Sequence, residues 1–422
     1  MKVNLPQPPR LFFCFPYRGV GGVSLLFLRV GTYLAEQLGI DVTLIDYADG
    51  YMAKNLRSDR VKLLTYTDDG AAPVPADAVL VLQAMNPWSI FPGLAVSPGA
   101  RLVFWHCLPF NLVPALPGLR DISYRTPALL QASLFTVLAE RRRLNSRLVE
   151  AMHAGQALFF MDEENVEGVR RFLGAKVDEP IYLPIPVALP KHSAARPTHA
   201  ADAPLRLVWV GRIADFKHHI LSRTLQDLDD YSRNTGRAVA VTIVGSGPFL
   251  AEVQEKASQL QTFVPTYVDS IAPDQLDGVL TAEADIVMAM GTAALDGARL
   301  GIPTILLDPS YGAVSAAYRY RWLFEERGYT LGRILFNPDS YPKGKPLAGL
   351  LDAFDREWPR LSRLSADYVA ANHAMTVVAA KLVSLVERAT YKWGDLSDSG
   401  ANRRDWIYRA FVFGRQLVGR RR

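Results

Sequence analysis

The sequence has few of the residues that bind metals or form cross-links. Only two cysteines occur among 422 residues, Cys14 and Cys107, and both stand inside apolar segments. The spacing of histidine, cysteine and acidic residues that is typical of metal sites is absent. The simplest interpretation is a cytosolic protein with two reduced, buried thiols and no bound metal.

Long apolar runs and nucleotide-binding signatures are also scarce. No run of about eighteen uninterrupted apolar residues occurs, so no membrane-spanning helix is predicted. Residues 1–10 contain three prolines and no long apolar core, which argues against a secretory signal. No Walker A sequence is present, which argues against a P-loop site.

The length and the charge distribution narrow the class further. A chain of 422 residues is too long for one ordinary core and predicts two domains. The net charge of +5 lies in residues 403–422, where seven arginines and one acid give +6; the other 40 basic and 41 acidic residues give −1. Because a nucleic-acid-binding protein carries its basic charge on the folded body, no nucleic acid partner is expected.

Short apolar runs alternate with helical periodicity through most of the chain, which predicts an α/β fold with two parallel sheets. In the first half the predicted strands are residues 11–15, 41–45, 78–82, 101–105, 157–161 and 181–183, and the predicted helices are residues 23–38, ending at Gly39, and 126–154 with a break inside. In the second half the predicted strands are residues 205–210, 239–244, 263–268, 285–288 and 304–307, and the predicted helices include 249–260 and 293–300.

Residues 184–204 contain five prolines and no periodicity, which is typical of an interdomain linker. The sequence therefore predicts two tandem Rossmann-like domains that face a cleft. The expected boundaries are residues 1–188 for the first domain, 189–204 for the linker, 205–385 for the second domain, and 386–422 for a C-terminal helix and basic tail.

Three loops in the second half carry the candidate chemistry, and each follows a predicted strand. Open α/β sheets bind ligands at the carboxyl ends of their strands, so these loops are expected to line one site. The candidate residues are Gly211, Arg212 and Lys217 after the first strand, Gly245 and Gly247 after the second, and Gly291, Thr292, Ala293 and Asp296 after the fourth.

The loop at Gly291 has the pattern of an anion site. Gly291 lets the backbone turn, Thr292 is predicted to cap the next helix, and the first amides of that helix, up to Ala293, then face outward without a partner. Asp296 is placed to accept hydrogen bonds from ribose hydroxyls. Arg212 and Lys217 are expected to bind the same anion, Arg212 through its planar guanidinium and Lys217 through its compact ammonium.

The series VGR-I-ADF-K, VGSGP and GTAALDGARLGIPT resembles the donor domain of GT-B glycosyltransferases, in a family-four-like form, of the kind that build lipopolysaccharide and other bacterial cell-surface glycans. Gly21, Gly22 and the helix after them are similar to the first loop of that fold, which closes over the donor phosphates. The resemblance covers most of the chain and is most specific in residues 205–308. It implies a nucleotide diphosphate sugar as donor and no cofactor or obligatory metal, because protein cations replace the metal.

The sequence departs from that family at one position. Many retaining members carry two glutamates eight positions apart around this loop. Here the second position is Asp296 and the first falls on Met288, which is apolar. The ribose contact carries over in weakened form, the first carboxylate's sugar contact does not, and the stereochemistry of transfer stays open.

His106 follows the predicted strand 101–105, where the family often has a histidine or acid beside the reacting sugar. An imidazole there can position a substrate or accept the proton of the acceptor hydroxyl. A hydrogen-bonded strand-end histidine without a catalytic role is the equal alternative. A pair with Cys107 is discounted, because adjacent strand residues point to opposite faces.

Two other patterns have more than one interpretation. The loop Gly19–Gly22 fits a dinucleotide fingerprint only weakly, because Ser24 replaces its last glycine, although Asp46 ends the second strand. The aromatic residues Tyr318, Tyr320 and Trp322 are either a sugar platform or, as we favour, part of a helix packing its own core.

In residues 402–422 apolar side chains fall on one helical face and arginines flank and oppose it. Such a basic amphipathic helix is typical of anchoring on an anionic membrane surface, and docking on the first domain is the alternative. The prediction is therefore a cytoplasmic glycosyltransferase, peripheral on the inner face of the membrane, that moves a sugar to a lipid-linked or glycan acceptor. The alternatives are a non-hydrolysing sugar-nucleotide epimerase and a catalytically silent membrane-associated scaffold of the same fold.

Overall fold

The computed structural model describes most of the chain: residues 9–19, 21–85, 93–116, 119, 122, 125–190, 203–272, 274–335, 344–403, 406–407, 409–411 and 413. The predicted linker lies mostly outside the described residues, as do Val20 and the larger part of the predicted C-terminal amphipathic helix. The described residues 406, 407, 409–411 and 413 are helical.

The first half of the chain builds a six-stranded parallel sheet from short apolar strands. A parallel strand covered on both faces needs an almost continuous apolar sequence, and Arg10–Cys14 and Ala78–Gln83 have one. The strands are β1 Arg10–Cys14, β2 Val42–Asp46, β3 Val61–Thr65, β4 Ala72–Val74, β5 Ala78–Gln83, β6 Leu94–Val96, β7 Arg101–His106 and β8 Leu158–Phe160. The sheet order is β3-β2-β1-β5-β7-β8, and β4 pairs with β6 separately.

The helices of this half are α1 Gly22–Leu38, α2 Tyr51–Asn55, α3 Pro127–Phe135, α4 Ala139–Ala154 and α5 Glu163–Gly168, followed by a π-helical turn at Val169–Leu173. The prediction for residues 23–38 is confirmed, and Gly39 caps α1 in the left-handed conformation. The predicted break in the second long helix is confirmed between α3 and α4. Residues 181–183 form only a single bridge, Tyr182 to Phe160.

The second half repeats the architecture. Its strands are β9 Leu205–Val210, β10 Val239–Val244, β11 Thr266–Val268, β12 Ile286–Ala289, β13 Thr304–Leu306 and β14 Arg321–Trp322. Its sheet order is β11-β10-β9-β12-β13-β14, parallel except for the antiparallel edge strand β14. Its helices are α6 His218–Thr235, α7 Leu250–Ala257, α8 Leu276–Glu283, α9 Thr292–Arg299 and α10 Leu347–Asn372; α11 Met375–Arg388 and α12 Trp393–Ser399 follow.

The chain divides into two units, residues 187–377 and residues 1–186 with 378–422. Residues 378–385 are predicted to be part of the second domain, whereas in the structure they belong to the first unit. Residues 378–385 belong to α11, and the end of this helix is tied to the first unit, because the Arg101 guanidinium on β7 donates a 2.9 Å hydrogen bond to the Val386 carbonyl. A local pattern cannot show such a contact.

The prediction of a helix that contains Tyr318, Tyr320 and Trp322 is wrong. Tyr320 instead bridges to Lys345, β14 follows, and Leu323–Glu325 form one 3-10 turn. The prediction of a core role is confirmed, since Tyr318, Tyr320 and Trp322 are each at most 2% exposed. An edge strand is more favourable than a helix here, because it adds main-chain hydrogen bonds to β13 and still buries the three aromatic rings.

A buried network of ion pairs between side chains lies beside β13. The Arg321 guanidinium donates two 2.8 Å hydrogen bonds to the Asp308 carboxylate and also pairs with Glu326. Asp308 further accepts a 2.9 Å bond from the Tyr318 hydroxyl and a 2.7 Å bond from the Arg333 amide. Removing one partner from such a network leaves an uncompensated buried charge.

Arg321→Ala is expected to lower the free energy of unfolding by about 3–5 kcal/mol, measured by urea denaturation, because Asp308 and Glu326 then lose their shared cation. Arg319→Ala is the control. Among the described residues that guanidinium donates to no group but the carbonyls of Ala317 and Tyr318, so its loss is expected to stay below about 1 kcal/mol. Equal losses in the two variants would contradict the role of the network.

Candidate functional site

The candidate site of the second unit lies where its strand order reverses. β9 is bordered by β10 on one side and β12 on the other, so the chain winds outward in both directions from this point. Trp209 near the end of β9 is paired with Met288 on β12, and therefore the loops that begin at Gly211 and Gly291 leave neighbouring strands. This position is the usual ligand site of doubly wound sheets.

The loop after β9 presents two cations. Lys217 folds back so that its Nζ lies 3.1 Å from the place a Cβ would take on Gly211. Its side chain is half-buried, and burial lowers the pKa of the ammonium. Arg212 is exposed. Neither cation has an acidic partner among the residues that the structure describes, so two positive charges at the strand end are left uncompensated.

The loop after β10 packs directly on the loop after β9. A Cβ on Gly245 would lie 2.2 Å from the Gly211 carbonyl oxygen, and one on Gly247 would lie 2.3 Å from the Ile213 oxygen. The Ile213 amide donates a 2.9 Å hydrogen bond to the Ser246 carbonyl. Packing of the two loops therefore explains why Gly245 and Gly247 are glycines. Their contact with a donor stays a prediction.

The loop after β12 leads into α9 with free amides at its start. Gly291 is the N-cap, with φ 65° and no side-chain hydrogen bond, and its amide donates a 2.7 Å bond to the Leu331 carbonyl. Within the described chain the amides of Thr292 and Ala293 have no acceptor. A Cβ on Gly291 would meet nothing within 4 Å, so the space beside the cap is open. Unpaired helix-start amides beside open space suit an anion.

Two predictions about this loop need comment. Thr292 does not cap α9: the positive φ of Gly291 makes the turn, and Thr292 is the first helical residue. The Asp296 carboxylate accepts a 3.3 Å bond from Arg299, which also pairs with Asp277, so the acid is held by the helix that carries it. Its contact with ribose stays a prediction. Met288 stands where many family members have the first of the two glutamates, and its side chain is fully buried in the core.

In the first unit the loop after β1 leads to the start of α1. Gly21 is the N-cap in an extended conformation, and the Ser24 hydroxyl donates a 2.9 Å bond to its carbonyl. A Cβ on Gly22 would meet nothing within 4 Å, so packing inside this unit does not require a glycine there. Their proposed contact with phosphate stays a prediction.

Asp46 organises this loop from beneath. Its carboxylate is fully buried and accepts hydrogen bonds from four backbone amides, those of Tyr17, Tyr47, Met52 and Ala53. A Cβ on Gly50 would collide with it. A carboxylate with this many internal donors is not placed to hold a ribose, so the dinucleotide interpretation loses the residue on which it depends.

His106 ends β7 and is completely buried. Its ring packs edge-on against Phe160, with centroids 5.6 Å apart, and neither ring nitrogen has a hydrogen-bond partner in the described part of the chain. Burial lowers the pKa of His106 to about 3, so the ring is neutral. The alternative, a histidine held by hydrogen bonds at the strand end, is not observed in the described part of the chain. The catalytic role stays a prediction.

Both cysteines are buried free thiols, as predicted, and burial raises the pKa of Cys14 and Cys107. Among the described residues no group of three or more histidine, cysteine or acidic side chains is arranged to hold a metal ion. The described helices include none that is long and apolar enough to cross a membrane.

A segment that was not predicted from the sequence, at Leu331 and Gly332, supports the Gly291 loop. Leu331 accepts the Gly291 amide, and a Cβ on Gly332 would lie 2.7 Å from the Leu307 carbonyl oxygen after β13. The only local signal is a pair of glycines, Gly328 and Gly332, both with positive φ. This segment holds the cap of α9 in place from the side of β13.

No protein-family model matches the sequence, and none of the curated proteins matches it. Solved structures do match. A glycosyltransferase from Rickettsia africae is 11% identical and superimposes with a TM-score of 0.56 over 90% of this chain and 98% of its own. The Anabaena protein HepE in complex with UDP is 10% identical, with a TM-score of 0.51 over 90% and 99%.

A third similar structure is the N-terminal domain of a Candida albicans trehalose-6-phosphate phosphatase, 13% identical, with a TM-score of 0.53 over 92% of this chain and 99% of that one. The chain therefore has the GT-B fold, and the predicted fold class is confirmed for its two Rossmann-like units. At such identities the likeness establishes the fold and not the activity.

Gly245→Ala is expected to lower the free energy of unfolding by about 2–4 kcal/mol, because the new Cβ collides with the Gly211 carbonyl at a positive φ of 133°. The matched control is Gly278→Ala on α8, where a Cβ meets nothing and alanine is expected to add up to about 1 kcal/mol. Thermal unfolding measures both. A stable Gly245→Ala protein would contradict the loop packing described here.

His106 is expected to make the fold sensitive to acid. Below pH 6.5 an unfolded histidine binds a proton that the folded one rejects down to about pH 3, so stability falls with falling pH, by up to about 1.4 kcal/mol per unit. His106→Gln is expected to remove this part of the slope between pH 7.5 and 5, measured by urea denaturation. Parallel curves for the two proteins would show that His106 is accessible to protons when folded.

Proposed function

We propose that this protein is a glycosyltransferase that uses a nucleotide diphosphate sugar as donor. The observation that carries the proposal is the pair of uncompensated cations, Arg212 and Lys217, at the reversal of the strand order. Lys217 stays half-buried beside Gly211 although burial disfavours its charge. An anion bound at this place offsets that cost, and a diphosphate is the anion that the fold's strand-end site accommodates.

The second half of the diphosphate site is the start of α9. The amides of Thr292 and Ala293 lack acceptors among the described residues, and the positive end of the helix dipole adds to them. In transfer, the bond between the sugar and the diphosphate breaks and negative charge grows on the departing phosphate oxygens. Cations and fixed amides stabilise that charge more in the transition state than in the bound donor, which is electrostatic catalysis.

The remaining roles follow from these two loops. Gly21 and Gly22 are the proposed second contact to the phosphates, Asp296 the contact to ribose, and His106 a positioning residue near the sugar. Arg212 and Lys217 supply the charge that a divalent ion supplies elsewhere, so the reaction is proposed to need no metal. The proposed acceptor is a lipid-linked or surface glycan at the inner face of the membrane.

The same fold also occurs in the N-terminal domain of a phosphatase, so the fold is compatible with functions other than sugar transfer. Met288 in the core and the pairing of Asp296 with Arg299 favour a catalytically silent scaffold as the second candidate. An epimerase needs several acids around the sugar ring, whereas Asp308 at the end of β13 is consumed by the Arg321 network. Transfer or hydrolysis of a donor separates the enzyme from the scaffold.

Arg212→Ala and Lys217→Ala are each expected to weaken binding of UDP or another nucleoside diphosphate by about tenfold or more, because each removes a charge-assisted bond worth about 1.5–3 kcal/mol. Calorimetry with UDP, GDP and ADP, with and without EDTA, measures this and identifies the base. Arg360→Ala on α10 removes an exposed arginine that pairs with Glu357 and serves as the control. Unchanged affinity and turnover in both site variants would end the proposal.

A further inference from the structure

The second unit holds one bulky side chain in a backbone conformation that such residues rarely adopt. Tyr329 has a φ of 62°, in the left-handed region where glycine and asparagine are common. Among the described residues only Gln156 and Glu179 share this conformation without being glycines, and both are exposed residues of the first unit. Such a conformation persists only where the surrounding contacts impose it, and positions of this kind concentrate at functional sites.

The contact that holds the Tyr329 ring is His373, the C-cap of α10. The two rings meet edge to face, with centroids 6.1 Å apart and an interplanar angle of 80°, which is a favourable arrangement of aromatic rings. His373 is fully buried, and its carbonyl accepts a 2.7 Å hydrogen bond from the Val187 amide. The Val187 carbonyl in turn accepts a 3.0 Å bond from the Met375 amide. His373 is therefore a fixed point of the second unit on which the tyrosine ring rests.

The residues that follow Tyr329 reach the candidate site. The Leu331 carbonyl accepts the 2.7 Å hydrogen bond from the Gly291 amide, at the N-cap of α9. The Arg333 amide donates a 2.7 Å bond to the Asp308 carboxylate, so the far end of the segment is tied to the end of β13. The Tyr329 ring anchors the near end, two residues before the carbonyl that holds the cap.

The segment needs an anchor at both ends because it is rich in glycine. Gly328 and Gly332 have φ values of 71° and 116°, and glycine leaves the backbone more freedom than any other residue. Without the ring, the Leu331 carbonyl is held from one side only. A glycine in place of Tyr329 would adopt the same φ without strain, but it would leave His373 without its edge contact. The strained tyrosine therefore indicates a role for the ring itself.

We propose that Tyr329 is a positioning residue that orients the helix-start amides of α9 for the diphosphate. Its ring fixes the Leu331 carbonyl, and that carbonyl fixes the Gly291 amide. The orientation of the next two amides, those of Thr292 and Ala293, follows from this cap. The ligand in this inference rests on the proposed function, whereas the fixing of the loop is a property of the free protein and is measured without a ligand.

The test is Tyr329→Gly in the full chain, a change that removes the ring and allows the same φ without strain. Hydrogen exchange of the peptide that contains Gly291, measured without ligand, is expected to become about tenfold faster or more, because the cap loses its fixed acceptor. The affinity for UDP, GDP or ADP, whichever the wild type binds most tightly, is expected to fall by about fivefold or more, because the amides are no longer preorganised. Tyr329→Phe keeps the ring and is expected to restore wild-type exchange and affinity.

Gln156→Gly is the matched control, since it replaces a residue of the first unit that has the same kind of conformation, with a φ of 50°. It is expected to leave the exchange at Gly291 and the nucleotide affinity unchanged. The peptide that contains β9 is the internal reference, and its exchange is expected to stay at the wild-type rate in all variants. A general loosening of the second unit would accelerate exchange in β9 as well, and this result would overturn the positioning role.

Wild-type exchange at Gly291 in the Tyr329→Gly protein would also overturn the proposal. Faster exchange with an unchanged nucleotide affinity would overturn it too, because the α9 amides would then not bind the diphosphate. If the wild type binds none of the three nucleotides, the donor proposal fails and this one fails with it. The two failures are distinguishable, because the affinity of the wild type and the exchange in the variant are separate measurements.

Discussion

A lysine ammonium that is half-buried without a carboxylate partner is the feature on which the site depends. Proteins pair such charges or lower their pKa, because a desolvated cation is costly. Here the loop after β9 folds Lys217 against Gly211, and a glycine from the next loop packs on the same peptide. The scaffold thus holds a lysine without a carboxylate partner at the strand ends, and the proposed function assigns the compensating negative charge to a bound diphosphate.

The strands that form the middle of each sheet could be predicted from the sequence because they are buried on both faces. Leu205–Val210 and Val239–Val244 are almost uninterrupted apolar runs, and the predicted bounds match the structure. The edge strand Val61–Thr65 has exposed residues at three of its five positions and gives no such run. For residues 318–322 a helix is predicted where the structure has an edge strand. The aromatic side chains indicate that the segment is buried, but the sequence around them does not show that its backbone pairs with β13.

The candidate site could be predicted in its backbone but not in its contacts. Gly211, Gly245 and Gly291 follow strands and have positive φ, a backbone feature that leaves a local signal in the sequence, and their role in a site stays a prediction. Which residues then hold those loops is non-local information. Leu331 accepts the Gly291 amide from forty residues away, and Arg299 holds Asp296 from the next helical turn. The burial of His106 also depends on the tertiary packing around β7, which its neighbours in sequence do not reveal.

The likeness to solved structures at 11% and 13% identity establishes the fold, and the fold does not decide the chemistry. Two Rossmann-like units supply strand ends and helix starts, and those alone bind many phosphate-containing molecules. The charges that stand at those ends distinguish one chain from another. In this chain acids near the strand ends are engaged internally: Asp308 by Arg321, Asp46 by four amides and Asp296 by Arg299. The cations of the β9 loop stay unpaired among the described residues. That asymmetry favours a site that stabilises a leaving anion over one that works through several acids.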